Sequence, residues 1–233
     1  MDPARIASLL APFLAPDSLL GDSLTDQQLS QVSTYLDLLL KWNARINLTS
    51  VRQPEEIVTR HFGESFFAAR QLCHPERRAP SPPAVEAPPP SLDGLQLVDV
   101  GSGAGFPGLP IKVYAPELSV ALIESNHKKA TFLRETIRAL TLTNIDVFAG
   151  RAEEFPGTAA IVTLRAVEKP ELALAAAARL VSPGGRLALF LGAAQASATP
   201  GLLSGFSWGV PIPLPGSSGR ALLIGASAGQ ESD

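Results

Sequence analysis

The sequence predicts an α/β fold, with a mostly parallel sheet, a helical extension before the sheet and an antiparallel hairpin at its end. Three observations predict this fold. From Leu95 onward, short apolar runs alternate with helical patterns, as expected for βαβ units. A glycine-rich corner follows the first of these runs. A proline-rich stretch, Cys73 to Leu92, separates this alternating region from helical sequence before it.

The helical extension is predicted from two segments. In the first, Thr25 is a suitable N-cap, and apolar residues recur behind it at helical spacing, namely Leu29, Val32, Leu36 and Leu39. The second begins at Pro54, because proline is favoured in the first turn of a helix. We therefore assign residues 1–72 to the extension, 73–92 to a linker or insertion, and 93–233 to the sheet domain.

The sheet domain alternates strands and helices in a fixed order. Five strands are predicted, at Leu95 to Val100, "ELSVALIE", "NIDVFAG", "AAIVTLRAV" and "GGRLALFLG". The helices between them are Pro107 to Tyr114, "NHKKATFLRETIRAL" and "KPELALAAAARLV". The segment from Ser207 to Ala226 is predicted as the closing hairpin, which ends the parallel sheet with an antiparallel strand.

Composition excludes several classes of protein. The chain has 233 residues, a formal charge of −3 and one cysteine, Cys73, so it forms no internal disulfide. No apolar run approaches the roughly 20 residues of a membrane span. The three histidines are scattered rather than spaced as metal ligands. We expect a cytoplasmic chain with no membrane segment and no metal.

The corner "VDVGSGAGFPGLPIKV" is the main candidate for a binding site. Gly101, Gly103 and Gly105 follow the first strand, and a G-x-G-x-x-G pattern, typical of dinucleotide sites, overlaps them. Three acids favour S-adenosylmethionine. Asp99 is expected to face its amino-acid end and would repel a pyrophosphate. Glu124, about 20 residues beyond the glycines, can accept the ribose hydroxyls, although NAD enzymes share this feature. Glu153 is expected where the adenine amino group would lie.

These observations predict a Rossmann-like S-adenosylmethionine-dependent methyltransferase fold. The residues next constrain the methyl acceptor. Enzymes that methylate an exocyclic amino group typically use an Asn/Asp-Pro-Pro-aromatic corner after the fourth strand, where this chain has "TLRAVEKP". A pyrimidine C5 needs a cysteine nucleophile, and Cys73 is distant in sequence from the corner. A ring nitrogen or an oxygen with a free lone pair remains. Guanine N7 fits, and it requires no general base, so no catalytic residue is assigned.

Basic residues are candidates for contact with a larger, anionic substrate. Arg60 belongs to a basic group in the helical extension, and Lys128, Arg134 and Arg138 lie on or beside one face of the helix after the second strand. A solvated cationic surface is the alternative explanation. Arg165 ends a buried-type strand at the carboxyl edge of the sheet, which favours a cofactor or substrate contact.

Several motifs also resemble one known family. "YLDLLLKWNARINLTSVRQPEEIVTRHFGES", "VDVGSGAGFPGLPIKV", "FLRE", "NIDVFAGRAEEF" and "LRAV" resemble the small-subunit ribosomal RNA methyltransferase G family (RsmG, also called GidB) from about Thr25 to Gly192. The resemblance implies 7-methylguanosine formation in 16S ribosomal RNA, with that RNA or the assembling small subunit as partner. It implies S-adenosylmethionine contacts at Gly101, Phe106, Ala152, Glu153 and Arg165.

The chain also departs from the family pattern near its C-terminal end. Leu191 stands where the family commonly has lysine, and Ala221 replaces the second residue of a basic pair whose first member, Arg220, remains an RNA-contact candidate. Two other functions therefore stay open. One is a methyltransferase that acts on a small molecule. The other is a nucleotide-binding module that lacks catalysis.

Overall fold

The computed structural model describes residues 1–14, 23–73, 96–165 and 170–228. The helical extension contains α1 (Pro3–Leu14), α2 (Asp26–Asn43), α3 (Pro54–Ile57) and α4 (Glu64–Cys73), and a π-helical segment, Val58–Gly63, joins α3 to α4. Apart from Cys73, the predicted linker of residues 73–92 lies outside the described residues.

Local sequence explains where α2 begins. The Thr25 hydroxyl accepts a hydrogen bond from the backbone N–H of Gln28 at 3.2 Å, and the Gln28 side chain accepts one from the N–H of Thr25 at 2.8 Å. This reciprocal capping box satisfies two donors that the helix itself leaves free. Val32, Leu36 and Leu39 are buried, as their spacing predicts. Pro54 opens α3, also as predicted.

Helix α1 was not predicted from the sequence. Prolines interrupt the N-terminal segment, yet Pro12 lies inside the helix, and α1 buries Ile6, Leu10 and Phe13. It packs mainly against the π-helical segment and α2. Tertiary burial of an apolar face therefore outweighs the cost of a proline within the helix.

The sheet is mostly parallel. Its strands are β1 (Leu97–Val100), β2 (Val120–Ile123), β3 (Ile145–Phe148), β4 (Ala159–Arg165), β5 (Val181–Gly192), β6 (Phe206–Trp208), β7 (Ile212–Pro213) and β8 (Arg220–Ser227). Their order is β3-β2-β1-β4-β5-β8-β6, with β7 paired to β8. Strands β1 to β5 are parallel, and β8 runs antiparallel to β5, β6 and β7. This confirms the predicted sheet and its antiparallel end.

Both faces of the sheet are covered. Helices α5 (Gly108–Tyr114) and α6 (His127–Ala139) share one hydrophobic cluster with the helical extension. Helices α7 (Pro170–Arg179) and α8 (Ala193–Ala198) contribute to the cluster on the other face. Alternate strand residues divide between the two, since Leu97 belongs to the first cluster and Val98 to the second. Helix α8 was not predicted.

The strand order reverses at the centre of the sheet. From β1 the chain proceeds outward to β2 and β3, whereas from β4 it proceeds the opposite way to β5. In open α/β sheets, ligands bind at the carboxyl ends of the strands that flank such a reversal. The loop after β1 and Arg165, the last residue of β4, both lie there.

Candidate functional site

The glycine-rich corner occupies residues 101–107, between β1 and α5. Gly103 has φ +57°, and a Cβ built on it would have no neighbour closer than the Gly101 carbonyl oxygen at 3.7 Å, so this part of the backbone is open to a ligand. Gly105 has φ +90°, and a Cβ there would overlap the Tyr35 hydroxyl. The first glycine leaves room above the corner, and the second permits close packing beneath it.

Glu124 directly follows β2 and is held by the backbone. Its Oε2 accepts a hydrogen bond from the N–H of Gly103 at 2.8 Å, and its Oε1 accepts one from the N–H of Asn126 at 2.8 Å. The carboxylate is buried but lines the cavity above the corner. Each oxygen keeps a further lone pair, so the group can accept two hydroxyl donors from a ligand.

Asp99 does not face the cavity, which corrects the orientation expected from the sequence. The side chain has no exposed surface. It accepts hydrogen bonds from the N–H of Gly108 at 3.2 Å and from the Thr163 hydroxyl at 2.7 Å. Burial raises the pKa of Asp99 to about 6, although these hydrogen bonds partly oppose the shift. Asp99 supports the corner from below, because a buried backbone donor needs an acceptor.

Phe106 belongs to an aromatic cluster that joins the corner to the helical extension. Its ring stacks on Tyr35 at 5.3 Å and on His61 at 4.8 Å, and it meets the edge of Phe62 at 5.1 Å. The Tyr35 hydroxyl donates a hydrogen bond to the carbonyl of Ala104. Phe106 therefore packs beneath the corner and also lines the cavity.

The cavity above the corner has a volume of about 450 Å³. Three predicted cofactor residues besides Phe106 and Glu124 lie on its wall, namely Gly101, Gly103 and Arg165. Leu191, noted as a departure from the family pattern, also lines it. Ala152 and Glu153 are not part of this wall. They lie in a 3₁₀ turn after β3, where Ala152 is buried and the Glu153 carbonyl accepts a hydrogen bond from Arg179 at 3.1 Å.

Glu64 is a cavity residue that the sequence did not predict. Its side chain is 1% exposed and lies between two arginines. Arg165 donates from Nη2 to Glu64 Oε2 at 2.7 Å, and Nη2 of Arg220 approaches Oε1 at 2.5 Å. Burial raises the pKa of Glu64, while Arg165 and Arg220 lower it in part. One signal in the sequence could have indicated it, namely an acid within the apolar run "HFGESFF". A buried carboxylate without a partner is very costly, so an acid in such a run is expected to have a cationic partner.

His61 is another titratable cavity residue that the sequence did not predict. Its Nε2 lies 2.8 Å from the Thr49 hydroxyl, and its Nδ1 is buried without a partner among the described residues. Burial, together with the charges of Arg165, Arg60 and Arg220, lowers its pKa to about 3. The imidazole is therefore uncharged at neutral pH.

The predicted RNA-contact residues fall into two groups. Arg60 and Arg220 line the cavity, together with Lys129. Lys128, Arg134 and Arg138 are exposed on α6 outside it, and the Arg134 side chain donates to the carbonyl of Val147 at 3.1 Å. The structure thus brings Arg60 and Arg220 to the cavity, and leaves the other three on a separate surface.

Metal-dependent chemistry and nucleophilic catalysis by cysteine are less well supported by the residues that the structure describes. They contain no cluster of three histidine, cysteine or acidic side chains arranged to bind a metal. Burial raises the pKa of Cys73 to about 12, so its thiol is protonated and a weak nucleophile. Within the same ranges, no helix has both the length and the apolar character that a membrane crossing requires.

The fold is that of one class of proteins, the Rossmann-like S-adenosylmethionine-dependent methyltransferases. A solved magnesium protoporphyrin IX methyltransferase from Synechocystis, with bound S-adenosylmethionine, matches the fold with a TM-score of 0.59 at 16% identity, over 88% of this chain and 99% of that one. The predicted cofactor, S-adenosylmethionine, is the cofactor of this class.

Sequence comparison identifies the family within that class. The model of the GidB family, described as rRNA small subunit methyltransferase G, matches residues 28–79 and 85–199. A ribosomal RNA small subunit methyltransferase G from Xanthomonas euvesicatoria is 36% identical, over 82% of each chain. One from Chloroflexus aggregans is 35% identical, over 88% of this chain and 84% of its own. The chain belongs to the rRNA small subunit methyltransferase G (GidB) family, which confirms the resemblance in the sequence.

Proposed function

We propose that this chain transfers a methyl group from S-adenosylmethionine to N7 of a guanine in 16S ribosomal RNA. One observation carries the proposal beyond family membership. A single cavity connects the open glycine corner and Glu124 with a group of basic side chains that suits a nucleic acid, namely Arg60, Lys129, Arg165 and Arg220. The names of the relatives, which refer to the small ribosomal subunit, support this choice of substrate.

The corner fits the cofactor chemically. When bound, S-adenosylmethionine supplies a methyl group already activated on a sulfonium. Glu124 would accept the ribose hydroxyls, and the backbone of Gly101 and Gly103 permits close approach. The positive charge of Arg165 suits the carboxylate of the methionine moiety. Ala152 and Glu153 do not line the cavity, and we propose that they contact the adenine next to it.

On the substrate side, the residues have to orient a base and exclude water rather than remove a proton. Guanine N7 carries a lone pair and no proton, so alignment accounts for most of the catalysis. The titratable groups of the cavity agree with this. His61 is neutral with a pKa of about 3, and Glu64 is held by two arginines. Lys128, Arg134 and Arg138 would contact RNA phosphates outside the cavity. The proposed reaction takes place in the cytoplasm.

Nucleoside mass spectrometry of small-subunit RNA tests the proposal. Cells without this chain are expected to lack one 7-methylguanosine, and the wild-type chain should restore it. Glu124→Ala should not, because it removes the acceptor for the ribose hydroxyls. Purified protein with methyl-labelled cofactor would then be given naked 16S RNA or isolated small subunits. Unchanged 7-methylguanosine in the deletion strain would contradict the proposal. Transfer of label only to a small molecule would favour the alternative function.

A further inference from the structure

Glu64 occupies an unusual position in the cavity wall. It follows the π-helical segment directly, as the first residue of α4, and its buried carboxylate contacts arginines from two distant strands. Arg165 ends β4 and Arg220 begins β8. The Arg165 guanidinium also donates to the carbonyl of Arg60 at 2.9 Å and lies over the Phe190 ring at 5.2 Å. One carboxylate thereby fixes the orientation of two guanidinium groups.

The two arginines keep unused hydrogen-bond donors. Nη1 of Arg165 and Nε of Arg220 are buried and have no hydrogen-bond partner among the described residues. Buried donors normally have a partner, so these two atoms need an acceptor. Charge gives the same indication. Glu64 neutralises one of its two arginines, and Arg60 is paired with Glu56 at 3.5 Å. The cluster of Arg60, Glu64, Arg165 and Arg220 therefore carries an uncompensated positive charge that suits an oxyanion.

The cluster also lies where two cavities meet. Arg60, Glu64 and Arg220 line both the cavity above the corner and a second one of about 480 Å³. The second cavity is formed mainly by α1, the π-helical segment and the turn before β8. Its other lining residues are Ser8, Leu9, Pro12, Phe13, Glu56, Thr59, Pro215 and Gly216. An anion bound at this junction would lie beside the glycine-rich corner and at the entrance to the second cavity.

We propose that Glu64 is a positioning residue that holds Arg165 and Arg220 as a two-armed oxyanion site at the junction of the two cavities. The ligand is a phosphate of the RNA backbone or the carboxylate of the cofactor, which present the same chemistry to a guanidinium. The proposal rests on the proposed methyl transfer to RNA and adds the group that orients the anion.

The first experiment compares Glu64→Gln with the wild-type chain. Glutamine keeps the size of the side chain, but its NH₂ group cannot accept a hydrogen bond from a guanidinium group. One of the two arginines therefore loses its hydrogen bond and its fixed orientation. We expect kcat for RNA methylation to fall at least about tenfold. RNA affinity should not weaken, because a negative charge near a polyanion is lost. Glu64→Asp keeps the charge and should recover part of kcat. Glu55→Gln, which makes the same substitution at an exposed acid of α3 that lines neither cavity, is the matched control and should leave kcat unchanged.

A purely structural role predicts a different result. It would lower Tm in both Glu64 variants and reduce RNA affinity and turnover together, in proportion to the folded fraction. A fall in kcat without a loss of RNA affinity therefore indicates positioning rather than misfolding. Both quantities are measured per active molecule, after titration of the active fraction. Loss of both parameters in parallel with Tm would overturn the assignment of Glu64.

The second experiment uses Arg220→Gln and distinguishes the two oxyanions. Affinities are measured for S-adenosylmethionine, for methylthioadenosine, which lacks the carboxylate, and for 16S RNA over a range of salt. A phosphate ligand predicts about tenfold weaker RNA binding and a salt slope smaller by about 1, with cofactor affinity unchanged. A cofactor carboxylate predicts weaker S-adenosylmethionine binding with methylthioadenosine unaffected. Failure of the wild-type chain to methylate RNA contradicts the proposed function alone, since the cofactor arm needs no RNA. Folded Arg220→Gln with all three affinities unchanged overturns the oxyanion site.

Discussion

Asp99 and His61 are two buried titratable residues whose stability contributions respond to acid in opposite directions. Asp99 supports the corner from below, and its pKa is raised from 3.8 to about 6, chiefly by burial. His61 stacks on Phe106, and burial together with three nearby arginines lowers the pKa of His61 from 6.5 to about 3. In the folded chain, acid therefore protonates Asp99 earlier, and His61 later, than in the unfolded chain.

Asp99→Asn tests the first of these effects. Because the folded pKa is raised, the contribution of Asp99 to stability is fully present below pH 3.8 and is lost as the pH rises through about 6. The shift corresponds to about 3 kcal/mol. The free energy of unfolding of the wild type, relative to Asp99→Asn, should therefore increase by about that amount between pH 7 and pH 3. Asparagine can still bond to Gly108 and Thr163, so the comparison isolates the charge.

Chemical denaturation at several pH values measures this difference. His61→Gln serves as the opposite control, because a lowered histidine pKa costs stability as the pH falls below 6.5. The wild type, relative to that variant, should lose stability in acid. A difference between wild type and Asp99→Asn that does not vary with pH would show that Asp99 titrates normally in the folded chain.

At the residue scale, sequence predicted the kinds of residue better than their orientation. Glu124 lies beside the glycine corner, as the sequence predicted, because its position after the second strand relative to the glycines is fixed by the fold. Asp99 was assigned to the wrong side of the backbone, because strand alternation alone does not reveal that Gly108 and Thr163 both lie beneath the corner. Glu64 was missed because its two partners are about 100 or more residues away in sequence, which no local pattern encodes.

At the scale of elements, α2 supports the corner through one side chain. Tyr35 is fully buried on α2, stacks on Phe106 and donates a hydrogen bond to the Ala104 carbonyl. The helical extension therefore forms part of the site even though the glycines belong to the sheet domain. A change on this helix should affect cofactor binding only if it reaches the corner.

Tyr35→Phe and Thr25→Ala, both at α2, separate these effects. Tyr35→Phe leaves the Ala104 carbonyl without its donor, which should cost about 1–3 kcal/mol of stability and weaken S-adenosylmethionine binding. Thr25→Ala removes the capping box at the far end of the helix and should cost about 1 kcal/mol without changing cofactor affinity. Denaturation and calorimetry on both variants measure the two quantities. Equal loss of cofactor affinity in both would mean that α2 acts only through overall stability.

The sequence predicted most elements because hydrophobic periodicity and caps are local signals. The strands β1 to β5 and the start of α2 follow from such patterns. The helix α1 does not, because it depends on burial against the π-helical segment and α2 despite Pro12. The π-helical turn between α3 and α4 is also invisible in the periodicity, although it sets the positions of Arg60, His61 and Glu64.

At the scale of the whole molecule, the helical extension and the sheet share a hydrophobic core. Tyr35, Phe62, Phe106 and Phe132 belong to one cluster that joins α2, the π-helical segment, the corner and α6. The sequence division at residues 72 and 93 therefore separates segments of the chain that pack tightly against each other. Such packing favours cooperative unfolding.

Thermal unfolding with and without cofactor tests this cooperativity. We expect one transition, and S-adenosylmethionine at 100 times its Kd should stabilise the folded chain by about 2.7 kcal/mol. For a protein of this size, that corresponds to a rise in Tm of roughly 5–10 °C. Intrinsic fluorescence and circular dichroism should report the same midpoint. Two transitions, of which only one responds to the cofactor, would show that the extension and the sheet unfold independently.

The position of β8 has a consequence for biosynthesis. This strand is translated last among the described elements, yet it lies inside the sheet between β5 and β6. A nascent polypeptide still lacking it would expose the flank of β5 and would have no Arg220 to meet Glu64. The pair of Arg165 and Arg220 is therefore complete only after β8 has been translated, so a polypeptide interrupted before β8 carries the glycine corner without its full basic wall.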